Sequence, residues 1–314
     1  MATGSSSTWA LILAGGDGVR LRPLTTQIAG DARPKQFCAL LDGETLLDRT
    51  RRRADLVARF DRNVVVVSRP HEPYYRGLAA DLAPGRLVVQ PHNRGTAPGI
   101  LYPMLRIREL AGDPTVAVFP SDHYVGDEPA FVSYVVAAGD VVAHRPDLVI
   151  LLGVQADRPE TEYGWIGPAE APLPVDGEPA FPIRRFWEKP SPRLAQHLWR
   201  RGCLWNSFVM VGRVTAFLDL VRVTAPDLYT AFASVRAALG SPGERHAIEA
   251  LYAGLPTLSF SDCVLARGVE RLATVRVKSV EWSDWGHPAR VLASLKRTGR
   301  EPAWLRRVEL ASIA

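Results

Sequence analysis

The sequence predicts an α/β protein built on a Rossmann-like, mixed but mostly parallel sheet with helices on both faces. Three observations carry that reading. Short apolar runs alternate with helix-like stretches through the first half of the chain, the pattern of strands buried on both faces and joined by right-handed crossovers. Two of those runs end abruptly in polar turns, at Gly15–Gly18 and at Pro120–His123, and ligands of such sheets bind at the carboxyl ends of strands. No apolar run approaches the roughly 18–20 residues that a membrane helix needs.

In chain order, strands are expected at Leu11–Ala14, Val64–Ser68, Leu87–Gln90, Val116–Phe119 and Leu148–Gly153, with helices over 45–60, 72–82, 97–111 and 128–144. Beyond about 155 the pattern changes. Proline and glycine are dense over 158–192, short strands are expected at 163–167, 183–188 and 204–212, helices at 192–201, 213–222 and 243–253, and a last strand at 272–278. This second half reads as an extension of the first sheet, not an independent unit. The expected organisation is a disordered leader over 1–8, one domain over 9–298 with halves 9–154 and 155–298, and a tail over 299–314.

Bulk properties narrow the function. The chain has 314 residues and a formal net charge of +5. Its basic residues are scattered apart from Arg49–Arg53, read as a solvated helix face, and Arg200–Arg201. That argues against nucleic acid and suits anionic small substrates. Cys38, Cys203 and Cys263 are far apart and odd in number, which fits a reducing, cytoplasmic setting without disulfides or a cysteine metal site. Of 38 basic residues only Lys35, Lys189, Lys278 and Lys296 are lysine. In so arginine-rich a chain, Lys35 and Lys189 mark positions that call for a compact ammonium; Lys278 and Lys296 read as surface residues.

Several strings carry chemistry. "LAGGDGVRLR" sets Leu13, Ala14, Gly15, Gly16 and Gly18 directly after a strand, beside Arg20 and Arg22. Glycine-rich turns of this kind present backbone N–H groups to phosphates, although neither a dinucleotide fingerprint nor a P-loop is present. A tight turn without ligand is the plainer alternative. "RPKQF" projects Lys35, a phosphate ligand if it shares that rim. "PHNRGTAPG", after Gln90, puts Asn93, Arg94 and Gly95 at the rim, with Thr96 expected to cap the following helix. "FPSDHYV" places Ser121 and Asp122 just past a buried strand, and "EWSDWG" supplies Asp284. Mg²⁺ takes one or two carboxylates plus phosphates and water, so Asp122 and Asp284 are the candidate ligands, Glu281 a weaker one. For a hydroxylated ligand, "EYGWIG" offers Tyr163 and Gly164, "FWEKP" offers Glu188 and Lys189, and "LWNSF" offers Asn206. Exposed pairing of Glu188 with Lys189 or burial of Asn206 against backbone would be structural only.

Together, and in this order, these strings resemble the sugar-1-phosphate nucleotidylyltransferases, most closely the mannose-1-phosphate guanylyltransferases, over roughly residues 9–292. The resemblance implies a glycosyltransferase-A-like domain, Mg²⁺ as cofactor, and transfer of a nucleotidyl group from an NTP to a sugar-1-phosphate with release of pyrophosphate. Carried over, Gly15, Gly16, Gly18 and Arg20 cradle the triphosphate and Lys35 neutralises charge at the α-phosphate, which makes Arg20, Lys35 and Asp122 the catalytic set. Leu13, Ala14, Gln90, Asn93–Thr96 and Ser121 complete the nucleotide site; Tyr163, Gly164, Glu188, Lys189 and Asn206 hold the sugar phosphate. Attack by the sugar's own phosphate needs no protein nucleophile, and His123 is read as structural.

The chain departs from that family's pattern at Arg22, where tryptophan is usual, at Gln90, where an acid is common, at Phe208 in "WNSF" for "WNSG", and at "DWGHP" for "DVGSW". The resemblance makes guanine and mannose the leading expectation, and these departures, at the expected base and sugar positions, point to dTTP or UTP with glucose-1-phosphate as the other pair. A non-catalytic nucleotide-sugar binder and a glycosyltransferase using an NDP-sugar are the other classes. The binder is disfavoured by the presence of Lys35, Asp122 and Asp284, the glycosyltransferase by "SDH" lacking a second carboxylate. Neither a membrane nor a nucleic-acid partner is expected, and a homodimer stays open.

Overall fold

Described residues run from Thr8 to Arg306 in a computed structural model. The expected leader, apart from Thr8, and residues 307–314 of the tail lie outside them. The strands are β1 (Trp9–Ala14), β2 (Asn63–Ser68), β3 (Leu87–Gln90), β4 (Thr115–Pro120), β5 (Tyr124–Val125), β6 (Val149–Gln155), β7 (Gly164–Pro168), β8 (Ala180–Glu188), β9 (Leu204–Arg213), β10 (Leu272–Val277) and β11 (Trp282–Ser283). The helices are α1 (Arg22–Ala29), α2 (Leu46–Asp55), α3 (Glu72–Tyr75), α4 (Leu78–Asp81), α5 (Thr96–Ala111), α6 (Glu128–His144), α7 (Pro192–Arg200), α8 (Val214–Thr224), α9 (Pro226–Ser234), α10 (Glu244–Gly254) and α11 (Pro288–Thr298).

Nine strands form one sheet in the order β3-β2-β1-β4-β9-β6-β10-β8-β7, with β7 also paired to β9. The first four are mutually parallel; β9 runs antiparallel to both β4 and β6, and β10 is parallel to β6. The second half thus continues the first sheet, as expected. Alternation along β1 shows why both faces are covered: Trp9 and Leu11 enter one core with α5, α8, α9 and α10, while Ala10, Ile12 and Ala14 enter the other with α2, α6 and α7.

A separate two-stranded sheet pairs β5 with β11, Trp282 opposite Val125 and Ser283 opposite Tyr124. The short β5 and the helices α1, α9 and α11 were not expected. All three helices have proline in their first turn, where its fixed φ suits helix entry; among denser turn signals that reads equally as a loop. The helix expected over 45–60 ends at Asp55, and the one over 72–82 divides at Gly77. The arginine run is not a solvated face. Arg49 and Arg53 are buried and both face Glu128, at 3.0 and 3.6 Å, because one side of α2 packs on the sheet beside α6. Lys278 and Lys296 are exposed and the three cysteines are free and buried. No helix among the described residues is long and apolar enough to cross a membrane.

The described part of the tail is docked, not loose. Trp304 is buried with Leu21, Leu40 and Trp285 in a third core, and its indole N–H donates to Leu40 O at 2.9 Å. Trp304→Ala is expected to lower unfolding stability by about 3–5 kcal/mol, the usual cost of a large aromatic deletion, read by urea denaturation; a loss under about 1 kcal/mol would show the tail to be dispensable.

Candidate active site

The carboxyl ends of β1, β2, β3 and β4 open, with β7, β8 and β9, on a cavity of about 470 Å³. It is lined by Leu13, Gly15, Gly16, Arg20, Lys35, Gln90, Asn93, Gly95, Thr96, Ser121, Asp122, Tyr163, Gly164, Glu188, Lys189, Asn206 and Asp284, all of them candidates from the sequence. Three nucleotide-site candidates do not line it. Ala14 is in the core. Gly18 caps a 3-10 turn at φ 57 and packs on the backbone of Lys35. Arg94 turns away, its Nε donating to Tyr252 O at 3.1 Å.

The glycines of the first turn have distinct reasons. A Cβ on Gly15 would stand 2.7 Å from Gln90 Nε2 and 3.1 Å from Ser68 Oγ, so a side chain there would push the Gln90 amide aside. Gly18 needs its left-handed φ. Gly16 is exposed with open space around it, leaving that stretch of backbone accessible from the cavity. Gln36, which sequence reasoning passed over inside its own motif, locks the turn by donating to Ala14 O (3.0 Å) and Gly16 O (2.8 Å). Asn93 is a strap as well as a lining residue: its amide donates to Asp17 at 2.8 Å and its carbonyl accepts from Gly95 N at 2.9 Å. Thr96 is the first residue of α5, not its cap. Gly95 holds the cap position at φ 85, and Thr96 Oγ1 accepts from Phe260 N at 2.8 Å. The segment 257–261, which supplies Thr257, Ser259 and Ser261 to the lining, carried no motif-like signal.

Lys35 is buried, and its ammonium lies 3.2 Å from Asp122 Oδ2 while donating to the backbone oxygens of Asp284 and, at 3.4 Å, Trp285. The β5–β11 pairing makes this possible: Asp122 just precedes β5 and Asp284 just follows β11. Asp284 is held in turn by Arg290 Nη1 at 2.8 Å and by Gly286 N at 2.9 Å. Burial pushes the Asp122 carboxyl up, but Lys35, with help from His123, outweighs it and the net value lies below the usual carboxylate range. Asp284 follows the same balance, burial opposed by Lys35 and then Arg290, and is also lowered. Burial holds His123 below its ordinary value despite Asp122 at 3.6 Å, so its imidazole is neutral at pH 7. No group of three or more His, Cys, Asp or Glu among the described residues forms a metal cage. Two ionised carboxylates are nonetheless the donor set that fits Mg²⁺, which takes its other oxygens from phosphates and water.

Arg20 reaches across the mouth to Glu162 at 2.6 Å, with its other nitrogen 3.9 Å from Asp284. Arg290 contacts Glu160 and Glu162, both at 3.0 Å, and covers the Tyr163 ring at 4.7 Å. Neither glutamate nor Arg290 stood out in the sequence, because their role is set by each other's position. Burial pushes the Tyr163 hydroxyl up to about 12, so it stays a neutral group, 3.3 Å from Ser283 Oγ. Gly164 lets β7 close on β8 and β9: a Cβ there would meet Glu188 Oε2 and Phe186, each at 2.8 Å. Burial, reinforced by Asp262, raises the Glu188 carboxyl against the pull of Lys189. Asn206 uses its oxygen to accept from Phe208 N at 3.1 Å, which leaves its amide N–H groups for the cavity. Glu281 pairs with Arg297 at 2.6 Å and is not part of the lining.

A glycine-rich turn, a lysine set between the Asp122 carboxylate and the backbone of Asp284, and a pocket lined by Glu188, Lys189 and Asn206 thus share one rim of an α/β sheet. The chain belongs to the nucleotidyl transferase family, whose model matches residues 9–290. It is 30% identical over 280 residues to the alginate biosynthesis protein AlgA of Pseudomonas fluorescens (88% of this chain, 56% of that one). To the mannose-1-phosphate guanylyltransferase of Escherichia coli it is 28% identical over 287 residues (90% and 58%). The chain therefore spans little more than half the length of these relatives. A solved structure described as a mannose-1-phosphate geranyltransferase from Thermus thermophilus superposes with a TM-score of 0.78 at 31% identity, covering 94% of this chain and 80% of that one.

The charge balance has a measurable consequence. Both folded-state carboxyls lie below the unfolded value of about 3.9, so their stabilising contribution is present above that value and is lost as pH falls through the lower folded values. Lys35→Met removes the largest opposing charge, leaving burial opposed at Asp122 chiefly by His123 and at Asp284 by Arg290. The variant is expected to be about 1–3 kcal/mol less stable at pH 7, with the gap to wild type narrowing at about pH 3.5, below the unfolded carboxylate value. Equal gaps at both pH values, by urea denaturation, would contradict this.

Proposed function

We propose that the chain transfers a nucleotidyl group from an NTP to a sugar-1-phosphate, with GTP and mannose-1-phosphate the preferred pair, giving an NDP-sugar and pyrophosphate. The observation that carries the reading is the Lys35 ammonium set between Asp122 and the backbone of Asp284 at the mouth of a cavity shared by the glycine turn and the Asn206–Glu188 pocket. Family membership and the relatives named above support the same class.

In this reading a phosphate oxygen of the sugar-1-phosphate attacks the α-phosphorus, and the bond to the pyrophosphate oxygen breaks in line. The nucleophile is already anionic, so no protein base is needed. Lys35 neutralises charge that grows on the α-phosphate oxygens, and Arg20 moves from Glu162 to the β- and γ-phosphates. Lys189 and Asn206 orient the sugar phosphate, while Glu188 accepts hydrogen bonds from hydroxyls. Asp122 and Asp284 would hold Mg²⁺, which when bound supplies further charge neutralisation at the phosphates. Catalysis then rests on positioning and electrostatics. One observation favours a second pair of substrates: Tyr252 OH donates to Gln90 Oε1 at 3.1 Å, so Gln90 offers the nucleotide side an amide donor where relatives by resemblance carry an acid.

The test is pyrophosphate release with Mg²⁺ over a grid of GTP, dTTP, UTP, CTP and ATP against several sugar-1-phosphates. Turnover is expected to need both substrates and to be abolished by chelation. Arg20→Ala is expected to raise the KM for NTP about 10–100-fold, the loss of a charge-assisted contact, with melting unchanged because its partner Glu162 is exposed. Release with GTP and mannose-1-phosphate alone supports the full reading, release with another pair reassigns the substrates, and no release by folded protein rejects the activity.

A further inference from the structure

The strand β9 is irregular where it borders the cavity. Between the pairs Leu151–Met210 and Gly153–Asn206, two steps along β6 face four along β9, a bulge centred on Ser207–Val209. Bulges beside functional sites re-aim a side chain. Here three hydrogen bonds hold the shape: Ser207 Oγ donates to Leu152 O at 2.7 Å, Val209 N to Ser207 Oγ at 3.2 Å, and Phe208 N to Asn206 Oδ1 at 3.1 Å. At its apex Phe208 has φ 62. A bulky residue with that φ is a genuine outlier, and such strain persists where surroundings over-determine it, often at ligand sites. The Phe208 ring lines the cavity and meets the fully buried ring of Phe260 edge-on, with centroids 6.4 Å apart. Phe260 is itself fixed through its N–H to Thr96 Oγ1. The hydrogen-bonded bulge sets the backbone and the edge-on contact with Phe260 orients the ring, so Phe208 forms part of the cavity wall.

We propose that Phe208 is a specificity-determining residue: its ring caps the space beside Asn206 and restricts the second substrate to compact hexose-1-phosphates, excluding those with a bulky substituent such as an N-acetyl group. This rests on the reading of Asn206 and Glu188 as the sugar pocket.

The experiment compares wild type with Phe208→Gly, Phe208→Ala and Phe208→Leu, using mannose-1-phosphate, glucose-1-phosphate and N-acetylglucosamine-1-phosphate with the NTP that turns over best. Wild type is expected to favour the better compact sugar over the N-acetyl sugar by about 100-fold or more in kcat/KM, within the range that a shaped pocket reaches. Phe208→Gly is expected to cut that ratio at least tenfold, and Phe208→Leu, which keeps an apolar contact with Phe260, to give an intermediate value. An unchanged ratio, or an effect confined to the KM for NTP, overturns the proposal. Thermal melting adds an independent readout: Gly and Ala both remove the ring, but only Ala retains the strained φ, so the glycine variant is expected to melt higher. A lower-melting glycine variant overturns the strain argument. If wild type turns over no pair, the proposed activity fails separately. The wall is then judged by ligand-induced melting shifts: a shift with N-acetylglucosamine-1-phosphate in Phe208→Gly but not in wild type supports it, and no difference overturns it.

Discussion

Carrying two carboxylates and a lysine into one partly buried spot needs charge balance and close alignment of remote segments. Lys35 meets both needs, since its ammonium faces Asp122 and reaches the backbone oxygens of Asp284 and Trp285. Without it, burial would push the Asp122 carboxyl towards its protonated form, a poor partner for a metal ion, while Asp284 would keep Arg290. With it, both acids stay ionised, and the 3-10 turn Lys35–Phe37 is tied to the loop after β11. The stacked rings of Tyr124 and Trp285, 4.7 Å apart, brace the same junction from behind, and Trp304 closes the core beneath them.

Around that junction the site is arranged as a set of restrained loops. Gln36 holds the glycine turn, and Asn93 and His71 hold Asp17 within it, His71 Nε2 lying 3.2 Å from the carboxylate. Arg290 holds Asp284 and, with Arg20, Glu162. Gln36, Asn93, Arg20, Glu162 and Asp284 line the cavity themselves, while His71, Asp17 and Arg290 brace them from outside it. Positioning on this scale is what phosphoryl-transfer chemistry asks of a protein. Of the five non-glycine residues with positive φ among the described residues, Lys189, Phe208 and Trp285, at 44, 62 and 43°, lie in or beside this site.

Much of the site was legible because the relevant residues sit in short strings directly after strands, and strand ends of one parallel sheet must share a rim. Lys35 stood out because the chain otherwise uses arginine. What escaped notice was of two kinds. Glu160, Glu162, Arg290 and Ser261 lie in stretches whose composition is that of any polar surface, and only their mutual distances give them meaning. Thr96 and Arg94 were misplaced because the partner that redirects them, the segment around Leu258, is remote in the chain: Leu258 N donates to Arg94 O at 2.9 Å and its carbonyl accepts from Ala97 N at 3.0 Å. The buried face of α2 was misread for a related reason, since Arg49 and Arg53 are core residues only because Glu128 of α6 meets them.

The amino-acid sequence by itself determined the α/β class, the extension of one sheet through both halves, and the set of chemical groups at its rim, since these follow from hydrophobic periodicity and from what must succeed a buried strand. The tertiary structure alone decided which glycine faces the cavity, how Asp122 and Asp284 are brought together by β5 and β11, and that the bulge in β9 turns Phe208 inward. The physical reason is the range of the forces involved. Periodicity and turn chemistry act over a few residues, whereas the pairing of charges and the closing of a pocket depend on contacts between segments that only the folded chain makes neighbours.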